Sequence, residues 1–171
     1  MRCPTRAGAP CVLSEKNDAG AQIFTAFDPV RGRGDEVFRI NEPTAASSIW
    51  DISPDGTTLA IPSANGPIFL QPLGAGAASR EVSVPGCDPV TPAFSADGQG
   101  LFVSVDCNAD DPPLRLYFID HAGVATLLWA VPSLFILEPQ PAPDGRHLAI
   151  AVRQTDDDVW MIDGALRGTG K

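Results

Sequence analysis

Acid–base chemistry in this chain would have to run through two histidines, His121 and His147. His121 lies in Asp120-His121-Ala122-Gly123, a turn signature, and His147 directly precedes the apolar triplet Leu148-Ala149-Ile150. Nucleophilic hydrolysis needs a nucleophile beside a base that a third group orients. The Gly-x-Ser-x-Gly elbow that presents such a nucleophile is absent, as is an α/β segment to carry it. Both histidines therefore read as exposed turn and strand-edge residues. No catalytic residue and no enzymatic activity are expected.

Other constellations are equally bland. Gly164 to Lys171 has the wrong glycine spacing for a phosphate loop, and no Ser or Thr follows Lys171. Arg33-Gly34-Asp35 reads as a solvated turn between strands. The acidic runs Asn108-Ala109-Asp110-Asp111 and Asp156-Asp157-Asp158 lack the alternating oxygen-ligand spacing of a calcium loop and read as solvated loops. Neither metal nor cofactor is expected. The aromatic residues Trp50, Trp129, Trp160, Phe69, Phe94, Phe102, Phe118 and Tyr117 are expected to pack between layers of structure. Four cysteines, Cys3, Cys11, Cys87 and Cys107, form no Cys-x-x-Cys pair, which disfavours a zinc ribbon or a thioredoxin-type site.

Composition narrows what must position these residues. The 171 residues are 44% hydrophobic and 19% charged, a globular balance. Sixteen glycines and seventeen prolines leave little room for long helices. A net charge of −9 repels phosphate, so no nucleic-acid partner is expected. Residues 1–20 lack the apolar core of a secretory signal. The longest apolar stretch, Val124 to Leu137, is broken by Pro132 and is too short to span a bilayer as a helix. No membrane insertion of this segment is expected.

The strongest signal is an internal repeat. Ser53-Pro54-Asp55-Gly56, Ser95-Ala96-Asp97-Gly98 and Ala142-Pro143-Asp144-Gly145 place their glycines 42 and 47 residues apart, and Gly8 continues the frame towards the amino terminus. Three residues after each glycine an apolar triplet begins: Cys11-Val12-Leu13, Leu59-Ala60-Ile61, Leu101-Phe102-Val103 and Leu148-Ala149-Ile150. Further apolar runs follow, such as Ile23–Phe27, Ile68–Leu70, Leu116–Ile119 and Val159–Ile162. Asp at the centre of a tight turn, followed by Gly with φ > 0, is hairpin chemistry. The runs are strand-sized and lack helical spacing. About four short strands per unit is the pattern of a propeller blade. The structural turn residues are Asp55, Gly56, Asp97, Gly98, Asp144 and Gly145.

With these motifs in hand, the chain resembles the WD40-like (PD40) propeller repeats of TolB-type proteins, in which a Ser-Pro-Asp-Gly turn leads into a Leu-Ala-Phe-like strand. Trp50 to Ile61 and Pro139 to Ile150 match best, then Pro92 to Gly98. Cys11-Val12-Leu13-Ser14-Glu15 and Asp158-Val159-Trp160-Met161-Ile162 also resemble propellers that follow bacterial serine/threonine kinase domains or winged-helix regulators. The resemblance implies a ring of six or more blades. This chain, with about four, is then expected to be the carboxy-terminal part of a larger propeller.

The hairpin register bears on the cysteines. In a three-residue loop at Ala96-Asp97-Gly98, Ser95 faces Gln99, and the same register sets Cys87 opposite Cys107. Symmetry about Arg6-Ala7-Gly8 sets Cys3 opposite Cys11. Each pair is either a cross-strand disulfide or two free thiols. Bridges, together with the family resemblance, point to an extracytoplasmic, periplasmic location.

The expected architecture is all-β: one propeller domain or fragment with blades at 1–45, 46–86, 87–133 and 134–171, the first and last incomplete. The expected function is a non-enzymatic scaffold for protein–protein interaction or ligand sensing within a larger regulatory or envelope protein. The alternatives are the non-catalytic propeller of a peptidase or glycan-active enzyme, and a lone ligand-binding propeller. An open arc leaves the faces of its end sheets wet, so a homodimer through the end blades is expected. The competing arrangement is a closed four-blade disc with amino-terminal residues beside Val159–Ile162.

Overall fold

A computed structural model of the protein describes residues 1–41, 49–63, 66–74, 78–107, 114–131 and 136–153. Among these residues there is no helix, and thirteen strands form four antiparallel sheets. Sheet 1 contains β1 (Cys11–Lys16), β2 (Gln22–Asp28) and β3 (Gly32–Ile40). A single bridge from Arg2 to Val12 adds the rudiment of an innermost strand to it. Sheet 2 contains β4 (Asp51–Ile52), β5 (Thr58–Pro62), β6 (Ile68–Pro72) and β7 (Arg80–Val82). Sheet 3 contains β8 (Asp88–Phe94), β9 (Gly100–Asp106), β10 (Leu114–Asp120) and β11 (Ala125–Val131). Sheet 4 contains β12 (Ile136–Pro141) and β13 (Leu148–Arg153). In each sheet the strands lie side by side in chain order, the arrangement that short hairpin loops impose.

Strand alternation turns these sheets into a stack. On β5, Leu59 and Ile61 face sheet 1, where they join Val12, Phe24, Trp50 and Ile52. Ala60 points the opposite way, into a cluster with Ile68, Val82, Leu101, Val103 and Ile119. On β9 the same two-residue period sends Leu101, Val103 and Val105 towards sheet 2, while Phe102 meets Leu116, Leu148 and Ile150 between sheets 3 and 4. Among the described residues these three contact layers make an open row of sheets rather than a closed ring. The closed-disc arrangement invoked Val159–Ile162, which lie outside the described residues.

Aromatic packing is concentrated at the first layer. Phe24 meets Trp50 edge-on, with ring centroids 5.2 Å apart at 84°. Phe102 and Phe118 also touch, at 5.2 Å. Trp129 departs from the expected packing: it sits on β11, the outer strand of sheet 3, and is 40% exposed. Trp160 lies outside the described residues. The prolines of β8 and β12 (Pro89, Pro92, Pro139, Pro141) occupy the innermost strand of their sheets. There no further strand needs the missing N–H.

Two expectations require correction. Arg33-Gly34-Asp35 is not a turn: it belongs to β3, where a Cβ on Gly34 would come within 3.3 Å of the Ala26 carbonyl and Arg33 pairs with Glu15. The tripeptide is an exposed strand edge held by pairing to β2. The loop at Asp97 has four residues, not three. Ser95 N–H donates to the Gly100 carbonyl at 2.9 Å, so Ser95 faces Gly100. This happens because the turn closes inside the loop: Gly98 N–H reaches the Ser95 carbonyl at 2.8 Å, and Gln99 N–H is taken by the Asp97 carboxylate at 3.0 Å.

Candidate functional site

The three Asp-Gly turns share one backbone design. Gly56, Gly98 and Gly145 have φ of 77°, 69° and 67°. Each donates its N–H to the residue three before it, at 2.9, 2.8 and 2.9 Å. Each first residue then donates to the one five further on: Ser53 to Thr58, Ser95 to Gly100, Ala142 to His147. The Gly8 turn differs, because Ala9 N–H bonds Arg6, one position later in the frame.

Side chains lock two of these turns. Ser53 Oγ donates to Asp55 Oδ1 at 2.6 Å and accepts from Thr58 N–H at 2.9 Å. Ser95 Oγ repeats this with Asp97 at 2.7 Å and Gly100 N–H at 3.1 Å. The Ser53 hydroxyl, helped by Thr57, holds the Asp55 carboxyl below its ordinary range. Asp97 is also held low, first by Gln99 N–H and then by Ser95. At Ala142 the hydroxyl is missing. Asp144 accepts Arg146 N–H at 3.0 Å and lies 3.5 Å from His147 Nδ1.

The turns lie against one another along one rim. A Cβ on Gly56 would come within 3.0 Å of Pro4 and 3.1 Å of Ala9, so bare glycine is required by the approach of the first turn as well as by φ. Pro54 lies beside Gly98, and Ala96 beside Gly145, each 3.7 Å from where a Cβ would stand. Arg6 N–H bonds the Pro54 carbonyl at 2.9 Å, and Arg2 Nε bonds the Trp50 carbonyl at 3.2 Å. Thus Pro54 and Ala96, the second residues of their turns, pack against the glycine of the next turn.

At the inner end of this rim, segments of all four sheets frame one pocket of about 320 Å³, with Arg2, Pro4, Asp51, Pro92, Gln140 and Pro141 among its walls. Asp51 is its least predictable feature. Its Oδ2 accepts Phe94 N–H at 2.8 Å, tying sheet 2 to sheet 3. Burial pushes its carboxyl above the usual range, against the opposing pull of Phe94 N–H, Ile52 N–H and Arg2. An Asp two residues before the Ser-Pro-Asp-Gly turn was the available signal, but only packing shows that it is half-buried.

Two further clefts open outward between turns. One of about 430 Å³ separates sheets 2 and 3, with Asp55, Arg80, Asp97, Asp120 and His121 at its mouth, and Arg80 Nη1 donates to the His121 carbonyl at 2.6 Å. The other, about 600 Å³, lies between sheets 3 and 4 beside Phe102, Phe118, Arg146 and His147. The two histidines thus occupy different clefts. His147 is 79% exposed at its side chain. The described residues contain no group of three or more His, Cys, Asp or Glu placed to hold a metal ion. Gly164–Lys171 and both acidic runs lie outside the described residues.

All four cysteines are bridged, Cys3 to Cys11 and Cys87 to Cys107. Near the Asp97 turn the β8–β9 register is one residue away from the expected one, with Phe94 opposite Leu101. A bulge at Val90 then shifts it, setting Pro89 opposite Val105 and Asp88 opposite Asp106, which brings Cys87 across from Cys107.

No family profile matches the chain, and no curated protein matches it in sequence. Its fold is similar to that of the crystal structure of TolB from Acinetobacter baumannii, with 17% identity and a TM-score of 0.55. The match covers 87% of this chain and 39% of that one, so the chain spans well under half the length of that structure. The two share the propeller fold.

Proposed function

We propose that this chain is a non-enzymatic recognition scaffold that binds a protein partner at its turn rim, as part of a larger regulatory or envelope protein. The observation that carries this reading is convergence: inner segments of four sheets frame one pocket, and three hydrogen-bonded turns stack around it. Loops held on a rigid sheet scaffold are where propellers place recognition, since the fold itself prescribes no chemistry. The rim offers hydrogen-bonding groups and fixed charge, and its hydroxyls are engaged in holding the turns. Two bridged cysteine pairs favour an oxidising, extracytoplasmic compartment for the segment. No helix among the described residues is long and apolar enough to cross a membrane.

The test is site-specific photocrosslinking in the native host, with the probe placed at Thr5 or Gln140 on the rim, or at Asp18 in the β1–β2 turn at the opposite end of sheet 1. Discrete protein adducts from the rim positions and none from Asp18 are expected. Equal adducts from all three, or ester or peptide turnover that disappears in His147→Ala, overturns the proposal.

A further inference from the structure

Three of the four sheets end in a described outer strand, and two of those are guarded. Strand β3 carries Arg33, Asp35, Glu36 and Arg39, of which Arg33 pairs with Glu15 and Arg39 with Glu36. Strand β7 is three residues long and carries Arg80 and Glu81. Charge and shortness are the usual devices that stop a sheet edge from recruiting another strand.

Strand β11 has neither. Its seven residues, Ala-Thr-Leu-Leu-Trp-Ala-Val, include no charge, no proline and no glycine. One edge pairs with β10, and among the described strands nothing pairs with the other. Leu127, Leu128 and Trp129 are 49%, 47% and 40% exposed, and the preceding Val124 is 59% exposed. The β10–β11 register slips at this point: Leu116 faces Trp129 and Tyr117 faces Leu127, leaving Leu128 without an opposite residue.

We infer that β11 is a self-association edge, pairing antiparallel with β11 of a second copy of this chain. Two features select a second copy. The first is self-complementarity: with Leu128 on the two-fold axis, Leu127 of each copy lies opposite Trp129 of the other, and Thr126 opposite Ala130. Aliphatic–aromatic cross-strand pairs of this kind stabilise antiparallel ladders. The second is charge. The chain carries a net −9, which opposes contact between copies over most of the surface. From Ala122 to Val131 there is no ionisable side chain, so this edge can meet its own image without repulsion. The far face of sheet 4, the other candidate for contact between copies, is instead small and polar: Glu138, Gln140, Ala149 and Ala151 are all exposed. The pairing joins two four-stranded sheets into one of eight strands.

The exposed apolar strip is on the order of 300 Å² per copy, well below the roughly 800 Å² per partner of a standard stable interface. The dimer is therefore weak, forming in the micromolar range and above. Sedimentation equilibrium of the full, oxidised chain should show monomer passing to dimer as concentration rises from about 5 to 500 µM. Leu128→Lys sets two like charges together on the axis and should weaken association at least tenfold, whereas Ala149→Lys on sheet 4 should leave it unchanged. Leu128→Cys places two thiols on the axis and should give an interchain disulfide under mild oxidation, a readout that holds even where the lysine variant folds poorly. A chain that stays monomeric over this range overturns the inference. So does association abolished by Ala149→Lys and spared by Leu128→Lys, which assigns the contact to the end sheets.

Discussion

The hairpins β8–β9 and β12–β13 begin from nearly the same residues and are held in different ways. Both turn through Asp-Gly with the glycine at positive φ, and both have two prolines in the inner strand. In β8–β9 the serine hydroxyl binds the turn to the following strand, a disulfide closes the far end, and both faces lie under neighbouring sheets. In β12–β13 the equivalent of Ser95 is Ala142, no cysteines face each other, and Ala149 and Ala151 look outward. Backbone turn chemistry alone therefore makes the hairpin. Side-chain locks and burial add to a structure already specified.

The largest expected effect tests that addition at the disulfide. Cys87→Ala/Cys107→Ala opens a loop with a sequence separation of 20 residues and should lower stability by about 3 kcal/mol. Cys3→Ala/Cys11→Ala opens one of only 8 and should cost less. Denaturant melts of the two variants against the oxidised parent read both values. A larger loss from the shorter loop breaks the comparison, since it would place the main stabilisation outside the β8–β9 hairpin.

The serine lock should be smaller and reversible by design. Ser95→Ala leaves the buried Gly100 N–H without its side-chain acceptor and should cost about 1–2 kcal/mol. Ala142→Ser should return up to about 1 kcal/mol by supplying the missing hydroxyl near His147 N–H and Asp144. Thermal melts of the two single variants sharpen the comparison if the changes have opposite signs. Equal destabilisation by both shows that the Ala142 turn has no room for the lock.

The smallest effect is in pH. The Asp55 and Asp97 carboxyls sit below their ordinary values, so each contributes stability that is fully present above about pH 4 and is lost as pH falls through the folded value. Both groups are largely exposed, so solvent screens the contribution. Because Ser53 is the leading cause at Asp55, Ser53→Ala should move that carboxyl up towards the usual range. Gln99 N–H leads at Asp97, so Ser95→Ala should move that one less. Carboxyl chemical shifts followed from pH 2 to 6 distinguish the two turns, and equal movement contradicts the assignment of causes.

The disulfide pairing shows how partial agreement arises. The four-residue loop and the Val90 bulge each move the β8–β9 register by one, in opposite senses, so Cys87 meets Cys107 although the assumed loop was short. A bulge has no local signature that separates Val90 from its neighbours. Arg33-Gly34-Asp35 reads as a turn by composition, because glycine and charge are turn-rich. Pairing with β2 overrides that preference. Trp129 reads as core by its type and is exposed because no described strand lies beyond β11.

The amino-acid sequence by itself determined the all-β class and the positions of the Asp-Gly hairpin turns. These depend on interactions within a few residues, the Asp-Gly turn and the two-residue alternation after it. Tertiary structure alone decided the partial burial of Asp51 between two sheets, the stacking of Pro54 and Ala96 against the next turn's glycine, and the exposure of β11. Each of these depends on residues some forty positions apart or on which strand ends a sheet, and local preference carries no information about either.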